Sequence, residues 1–373
     1  MKQSVSDKKQ RLAVYAIARN EEKHVSRFMQ SIREEADLVL VLDTGSTDRT
    51  IELLRSEGAV VHQACVHPFR FDTARNTALA LLPADIDICV ALDLDEVLTM
   101  GWRQAILGCW DASTTRLHYR YVWNWTPSGQ PGTVFNSDKI HSRLGYRWTH
   151  PVHEVLVPTA DIEEKIEVCE GFTLEHHADP GKPRSQYLQL LELSVLEDPE
   201  DDRNSHYLAR EYSFYQRWQD VIREGKRHLT LESARWHKER ASSMRLISRA
   251  YSKLGDRNQG RQWLFKAIGE DPDARENYVE MGELCLTLND YAGASYYAST
   301  ALSLTNRELS YTVDEGAWTW KPHDLLGVAE YYLGNLESSL KHAQLAVEMN
   351  PHESRLKENL RLVEAALPDN PPI

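Results

Sequence analysis

The sequence has no run of 18 or more apolar residues, so no membrane-spanning helix is expected. Its first twenty residues, MKQSVSDKKQRLAVYAIARN, lack an apolar stretch long enough for a secretory signal. Cysteine is scarce, five in 373 residues at positions 65, 89, 109, 169 and 285. These five are scattered and odd in number, which gives neither a disulfide framework nor a zinc-ligand pattern and fits a reducing cytoplasm. Positive charge is in deficit too, 43 Lys and Arg against 56 Asp and Glu, a net charge of −13. A broad electrostatic grip on nucleic acid is disfavoured, although a small basic site on an acidic body is not. The hydrophobic share of 42% is enough for real cores in two or three domains.

What is present falls into two grammars. Up to about residue 158, short β-rich runs alternate with helical stretches. LAVYAIAR (12–19), DLVLVLDT (37–44), AVVHQAC (59–65) and DICVALDL (87–94) read as strands. EKHVSRFMQSIREE (22–35), STDRTIELLRSEG (46–58) and DTARNTALALL (72–82) read as helices. The second of these has Ser46 or Thr47 as N-cap and Gly58 as C-cap. Such alternation implies βαβ units and a mostly parallel sheet, with ligands at the carboxyl ends of the strands where strand order switches. Polar residues gather at those ends: Arg19 and Asn20, Asp43 to Asp48, and Asp93, Asp95 and Glu96. The last group ends a strand that reads as buried, where unpaired charge is costly, so a partner for these carboxylates is expected. Further on, Tyr119, Tyr121, Trp123 and Trp125 alternate as a strand with a one-sided aromatic face, followed by a turn at Pro127 to Gly132. Core packing and a wall on which an acceptor sugar stacks both fit that face.

Past about residue 205 the chain is helical and repetitive. Gly260 and Ala294 hold equivalent small positions 34 residues apart, as do Ala267 and Ala301. Ser339, Ala346 and Pro351 fill the same slots in a third copy, and a weaker first copy starts at His206. A 34-residue helix-turn-helix period with small residues at the crossings is the tetratricopeptide (TPR) signature. The last interval is 45 residues, and the excess, NRELSYTVDEGAWTWKPHD, reads as an inserted loop whose Trp318 and Trp320 could touch an acceptor or a second subunit. The expected organisation is an α/β domain over 1–178, a junction over 179–205, helical repeats over 206–367 and a tail over 368–373.

VYAIARNEE, LVLVLDTGSTDRT, FDTARNTAL and VALDLDEVL, in this order and spacing, resemble the family 2 glycosyltransferases of the nucleotide-sugar (GT-A) fold. The resemblance covers roughly residues 10 to 155. Its pairing with C-terminal TPR repeats looks like a bacterial and phage subgroup, and one relative of that general build glycosylates a peptide. The resemblance implies a nucleoside-diphosphate sugar donor, UDP first in line, a divalent metal (Mn²⁺ or Mg²⁺) and inversion at the anomeric carbon.

It also implies site residues. The Asp93-Leu94-Asp95 spacing turns two carboxylates to one side of an extended segment. By resemblance Asp95 ligates the metal, and Asp93 reaches the ribose or a metal-bound water. The donor would lie against Ala18, Arg19 and Asn20 after the first strand, Asp43 and Thr44 after the second, and Leu94 between the acids. Many relatives have an acid in the place of Thr44 that reads the uracil. Asp48 belongs to the start of its own helix. Arg75 is assigned to the pyrophosphate or base, since a guanidinium grips phosphate in a fork, with a surface salt bridge as the alternative.

The segment KIHSRLGYRWTHPVHEVLVP (139–158) looks like the W..PVHE segment of the subgroup. GT-A enzymes often recruit a late histidine as a further metal ligand, here His153 with His150 behind it. Inverting transfer needs a base for the acceptor hydroxyl. No ED pair stands clearly in 97–155, so Glu154 comes first and Glu96 second. A hydrogen-bonded structural pair is the other reading of His153 and Glu154. His176 and His177 are given no chemistry.

The expected function is therefore metal-dependent hexosyl transfer to a hydroxyl of a protein, peptide or saccharide, with the repeats binding acceptor, partner or a second copy. One alternative is a TPR scaffold whose nucleotide-binding half is inactive. Another is glycosylation of a modified nucleic-acid base, which the charge disfavours. A nucleotidyltransferase would want a Gly-rich phosphate loop with a nearby lysine after the first strand, and ARNEEKH supplies none.

Overall fold

The computed structural model describes residues 10–126, 129–159, 162–179, 187–308 and 310–367. Pro127 and Ser128 of the expected turn, most of the ADPGKP turn, and the tail 368–373 lie outside the described residues. The chain divides into two compact units, Met1–Ser194 and Val195–Ile373.

In the first unit, β1 (Leu12–Ala18), α1 (Glu22–Ile32), β2 (Leu38–Asp43), α2 (Thr50–Ser56), β3 (Val60–Gln63), α3 (Phe71–Leu81) and β4 (Ile88–Leu92) alternate as the sequence predicts. Then come β5 (Glu96–Leu98), α4 (Trp102–Cys109), β6 (Arg116–Val122), β7 (Val134–Ser142), β8 (Tyr146–Thr149), β9 (Val155–Pro158) and β10 (Ile166–His176). One sheet has the order β3-β2-β1-β4-β7-β6-β10-β5, and β8 with β9 forms a second. β1 to β4 are mutually parallel, but β7 runs antiparallel to both β4 and β6. The sheet is thus mixed where a mostly parallel one was expected.

β1 explains its own unbroken apolar run. Leu12, Val14 and Ala16 pack with Val25, Phe28 and Ile32 of α1, while Ala13 and Tyr15 pack with Ala74 and Ala78 of α3 and Trp148 of β8. A strand buried on both faces has no solvated side to alternate with.

The second helix starts later than expected. Its first residue is Thr50, and neither Ser46 nor Thr47 caps it. Ser46 and Thr47 are instead held in the turn by Asp43 and by Asn20 of the preceding loop. The N-cap position is Arg49, whose side chain makes no capping bond, and Asp48 just before it accepts from the Thr50 amide at 2.9 Å. Gly58 follows the helix with φ of +97°, the left-handed conformation expected there. The aromatic strand also ends early, at Val122, so that Trp123 and Trp125 leave the sheet.

α5 (Tyr187–Glu197) leads into the helical unit. Its helices pair as α6 (Asp202–Phe214) with α7 (Trp218–His228), α8 (His237–Lys253) with α9 (Arg257–Glu270), and α10 (Arg275–Thr287) with α11 (Tyr291–Ser303). After the short α12 (Glu315–Trp318), α13 (Lys321–Tyr332) pairs with α14 (Leu336–Met349), and α15 (Ser354–Ala366) closes the series. Ala294, Ser339, Ala267, Ala301 and Ala346 are all buried, as their periodic spacing requires. A Cβ on Gly260 would come within 3.1 Å of the Ser248 carbonyl, so the helices cross where only a hydrogen fits.

The inserted loop turns inward. Trp318 is half-buried, donating from Nε1 to Glu276 with the Arg275 guanidinium 4.5 Å above its ring. Trp320 is half-buried too, so neither tryptophan is the exposed contact expected. Upstream in the same insertion, Tyr311 donates to Glu239 of α8 and stacks on Tyr207 of α6.

Candidate functional site

The carboxyl ends of β1, β2 and β4 bring the first expected residues close, but many of their polar atoms serve the turns. Asn20 adopts a left-handed φ of 57°, and its side-chain oxygen accepts from the Thr47 amide at 2.8 Å. Asp43 is fully buried, its carboxylate accepting the amides of Gly45 and Ser46 at 3.0 Å and the Ser46 hydroxyl. Thr44 donates from both amide and hydroxyl to the Ala18 carbonyl. Arg19 is exposed, whereas Ala18 and Leu94 are buried.

The acids after β4 meet a set of cations. Arg75, on α3, is 2% exposed and binds Asp93 Oδ1 through Nη2 at 2.6 Å and Glu154 through Nε. Its guanidinium lies 5.0 Å over the Trp148 ring, and its buried Nη1 has no hydrogen-bond partner among the described residues. Lys139, on β7, reaches Asp93 Oδ2 at 3.4 Å and Glu96 Oε1 at 3.1 Å. Burial alone would raise the Asp93 carboxyl, but Arg75 and then Lys139 outweigh it and hold the group well below the usual carboxylate range. Burial likewise opposes the charge on Lys139, and Glu96 and Asp93 more than restore it.

Glu96 is almost wholly buried and accepts from the Tyr121 hydroxyl at 2.7 Å, from Lys139, and from the Asp93 amide at 2.8 Å. That is a holding position, fixing the loop that carries Asp93 and Asp95. Glu154 is set by the segment 150–154, in which His150 and His153 take left-handed φ values of 77° and 52°. The Pro151 carbonyl of that segment accepts the Phe71 amide at the start of α3, so Glu154 faces Arg75 from the helix it docks on. The His153 ring lies 5.8 Å from that of Tyr187.

The histidine that meets Asp95 is His176, at the end of β10, with Nε2 3.6 Å from Asp95 Oδ2. Its Nδ1–H donates to the Trp123 carbonyl at 2.9 Å, which directs the Nε2 lone pair of the neutral ring to the Asp95 side. Burial opposes protonation of this ring, yet its bond to Asp95 raises it above an ordinary histidine. Half-exposed Trp123 stacks on His176 with ring centroids 4.5 Å apart.

The fold thus brings Asp93, Asp95, Glu96, Arg75 and Glu154 together with Tyr121 of the aromatic face, and adds Lys139 and His176, which sequence reasoning did not assign. Their only signal is positional. Lys139 is a lysine inside a strand and His176 a polar strand end, and both meet the acids through sheet pairing across 43 to 81 residues of chain.

A second polar cluster lies in the helical unit, where potential ligand atoms of Asp202, His228 and Glu239 fall within 4.8 Å of one another. Glu239 accepts from His228 Nε2 at 3.1 Å and from Tyr311, so its oxygens are already used in tying α7, α8 and the insertion together. Burial works against this carboxylate, but His228 brings it down to about 2.

No protein-family model matches the chain. A TPR repeat-containing protein of Synechococcus elongatus is 30% identical over 147 residues, covering 38% of this chain. The chain spans about a third of the length of that curated relative, 34%. Among solved structures, the APC/C hetero-tetramer Cut9-Hcn1 is similar at 14% identity and a TM-score of 0.42, over 48% of this chain and 33% of that one. A thermophilic TPR protein of Thermus thermophilus is similar at 18% identity and a TM-score of 0.36, over 48% of this chain and 90% of that one. The helical half is a TPR-like repeat domain, on the strength of its paired helices and their buried small residues. Among the described residues no helix is long and apolar enough to cross a membrane.

Proposed function

We propose that the α/β half is a GT-A glycosyltransferase acting on a nucleoside-diphosphate sugar, and that the repeat half binds the acceptor, a protein or peptide. The observation that carries this reading is the charge constellation at the carboxyl end of β4. There the sheet passes from parallel to antiparallel pairing, and four carboxylates face buried Arg75, half-buried Lys139 and a histidine. Arg75 and Lys139 supply fixed positive charge for a diphosphate, and Arg75 keeps one nitrogen, Nη1, without a partner among the described residues.

The donor set fits a divalent cation at Asp95 and His176. A carboxylate and an imidazole whose other nitrogen is tied to a carbonyl are the ligands such ions take, and 3.6 Å between the donors suits a shared ion. Asp93, engaged by both cations, anchors them instead. When bound, a divalent ion would supply Lewis-acid stabilisation of the leaving diphosphate. Glu154 stays first choice for taking the acceptor proton, its carboxylate oriented by Arg75.

The second reading is a repeat scaffold, and the comparisons back it better than sugar transfer, since the relative they name is a TPR protein. Solenoid surfaces suit extended partners on their own. Thermal unfolding with a panel of nucleoside diphosphates, with and without Mn²⁺, decides between them. The transferase reading expects one nucleotide to raise the midpoint only with metal, by mass action, and Asp95→Ala to abolish the rise. If millimolar nucleotide never shifts the wild type, sugar transfer is lost and the scaffold reading stands.

A further inference from the structure

Sequence spacing separates Cys109 and Cys169 by 60 residues, yet the fold sets their sulfurs 2.8 Å apart. Cys109 closes α4 and is half-buried; Cys169 lies on β10 and is fully buried. The approach is built in by the neighbouring residues. A Cβ on Gly171 would stand 2.6 Å from the Cβ of Ala105, so the helix can lie this close to the strand only over a glycine. The Cys169 sulfur touches the same turn of α4, 3.4 Å from the Ala105 carbonyl. The β10–β6 register slips between Cys169 and Thr173, the irregularity that accommodates this contact. The other thiols are placed differently, Cys65 exposed, Cys89 buried on β4 and Cys285 buried on α10.

A buried free cysteine usually acts as a small apolar residue. Two thiols at 2.8 Å are something else, because that separation is only about 0.8 Å beyond the S–S bond length of about 2.04 Å. We propose that Cys109 and Cys169 are a modification site, a dithiol that a peroxide converts to a reversible intramolecular disulfide.

The chemistry balances without another participant. Cys109, the sulfur nearer solvent, attacks one oxygen of the peroxide as its thiolate and becomes a sulfenic acid. The O–O bond breaks, and the second oxygen leaves with the thiol proton as water. Cys169 then attacks the Cys109 sulfur, the S–O bond breaks, and hydroxide leaves with the Cys169 proton as a second water. Two thiols lose two electrons and two protons, and one hydrogen peroxide becomes two waters. Burial, reinforced by the bond to Cys109, pushes the Cys169 thiol up to about 12, which gives the first attack to Cys109 and the resolving step to Cys169. The bond would pin α4 to the strand whose end carries His176.

The test uses the full chain carrying Cys65→Ser, which removes the exposed thiol. Four cysteines then remain. After treatment with hydrogen peroxide and quenching, thiols are alkylated in denaturant and counted by mass spectrometry. The expected count falls from four to two, with the peptides containing Cys109 and Cys169 joined, and dithiothreitol restores four. Cys109→Ser and Cys169→Ser should each abolish the joined peptide, and circular dichroism checks that these variants are folded. Four thiols surviving a peroxide dose that fully oxidises glutathione would overturn the proposal. So would a Cys109 that proceeds to sulfinic acid while Cys169 remains alkylatable.

Discussion

His141 gives the structure a calculable acid sensitivity. The ring is fully buried on β7, and its two nitrogens sit in a chain of hydrogen bonds. Trp148 Nε1–H donates to the Tyr15 hydroxyl at 2.8 Å, that hydroxyl donates to His141 Nε2 at 2.9 Å, and Nδ1–H donates to the Ser142 carbonyl at 2.7 Å. Only the neutral ring satisfies every member, because a proton on Nε2 would turn the Tyr15 O–H away from its acceptor. Burial first, with Arg116 and Arg143 adding to it, brings the ring down to about 3. An unfolded histidine titrates near about 6.5. A folded value below the unfolded one means that the stability is present above about 6.5 and is lost as the pH falls, by about 1.4 kcal/mol per unit down to the folded value. From pH 8 to pH 5 the loss is about 2 kcal/mol. The variant His141→Leu cannot titrate there, and leaving the Tyr15 donor unmet costs it about 1–3 kcal/mol at pH 8. Urea unfolding of both proteins, followed by tryptophan fluorescence at pH 8 and pH 5, should show the gap between them shrinking by about 2 kcal/mol at the lower pH. Comparing the two cancels every other titrating group. A gap that stays constant would refute the hydrogen-bond assignment and the burial argument together.

In the thermal assay with nucleotide and Mn²⁺, His176→Ala should lose the metal-dependent shift as Asp95→Ala does, while His153→Ala keeps it. The opposite pattern would return the late histidine to His153. Arg75→Met leaves Asp93 and Glu154 without their buried cation and should cost about 3–5 kcal/mol in urea unfolding, with the nucleotide shift gone. A cost below about 1 kcal/mol would mean that the site relaxes to admit water. Gly260→Val forces a side chain against Ser252 and the Ser248 carbonyl and should lower the stability of the helical unit by about 1–3 kcal/mol, read as a lower circular-dichroism midpoint.

The parts of this protein written in short-range pattern were legible in its sequence. β1, β2 and β4 announce themselves as apolar runs ended by polar residues, and the repeats as small residues at a fixed interval. What escaped depends on partners distant in the chain. β7 enters between β4 and β6 and makes the sheet mixed, and nothing local to residues 134–142 says which neighbours it takes. The start of α2 was misjudged because Asn20, in another loop, claims Thr47 for a turn. Asp93, Asp95 and Arg75 stand in local motifs that mark them out by resemblance, whereas Lys139 and His176 carry no such mark, since each reaches the acids only through strand pairing. The scattered cysteines gave no hint that two would meet.

Repeat arrays ordinarily gain stability from each unit touching the next. Here Tyr311, inserted between α11 and α13, bonds Glu239 across 72 residues, and Arg245 of α8 reaches the Thr312 carbonyl from the same insertion. The earliest helix pairs therefore await a segment made long after them. A nascent chain, which folds from its N-terminus as it is synthesised, carries α6 to α8 with one wall open until residue 311 has emerged. Shortening this array by a whole repeat from its C-terminal end, as solenoids usually tolerate, would be felt first at its beginning once the cut passes Tyr311.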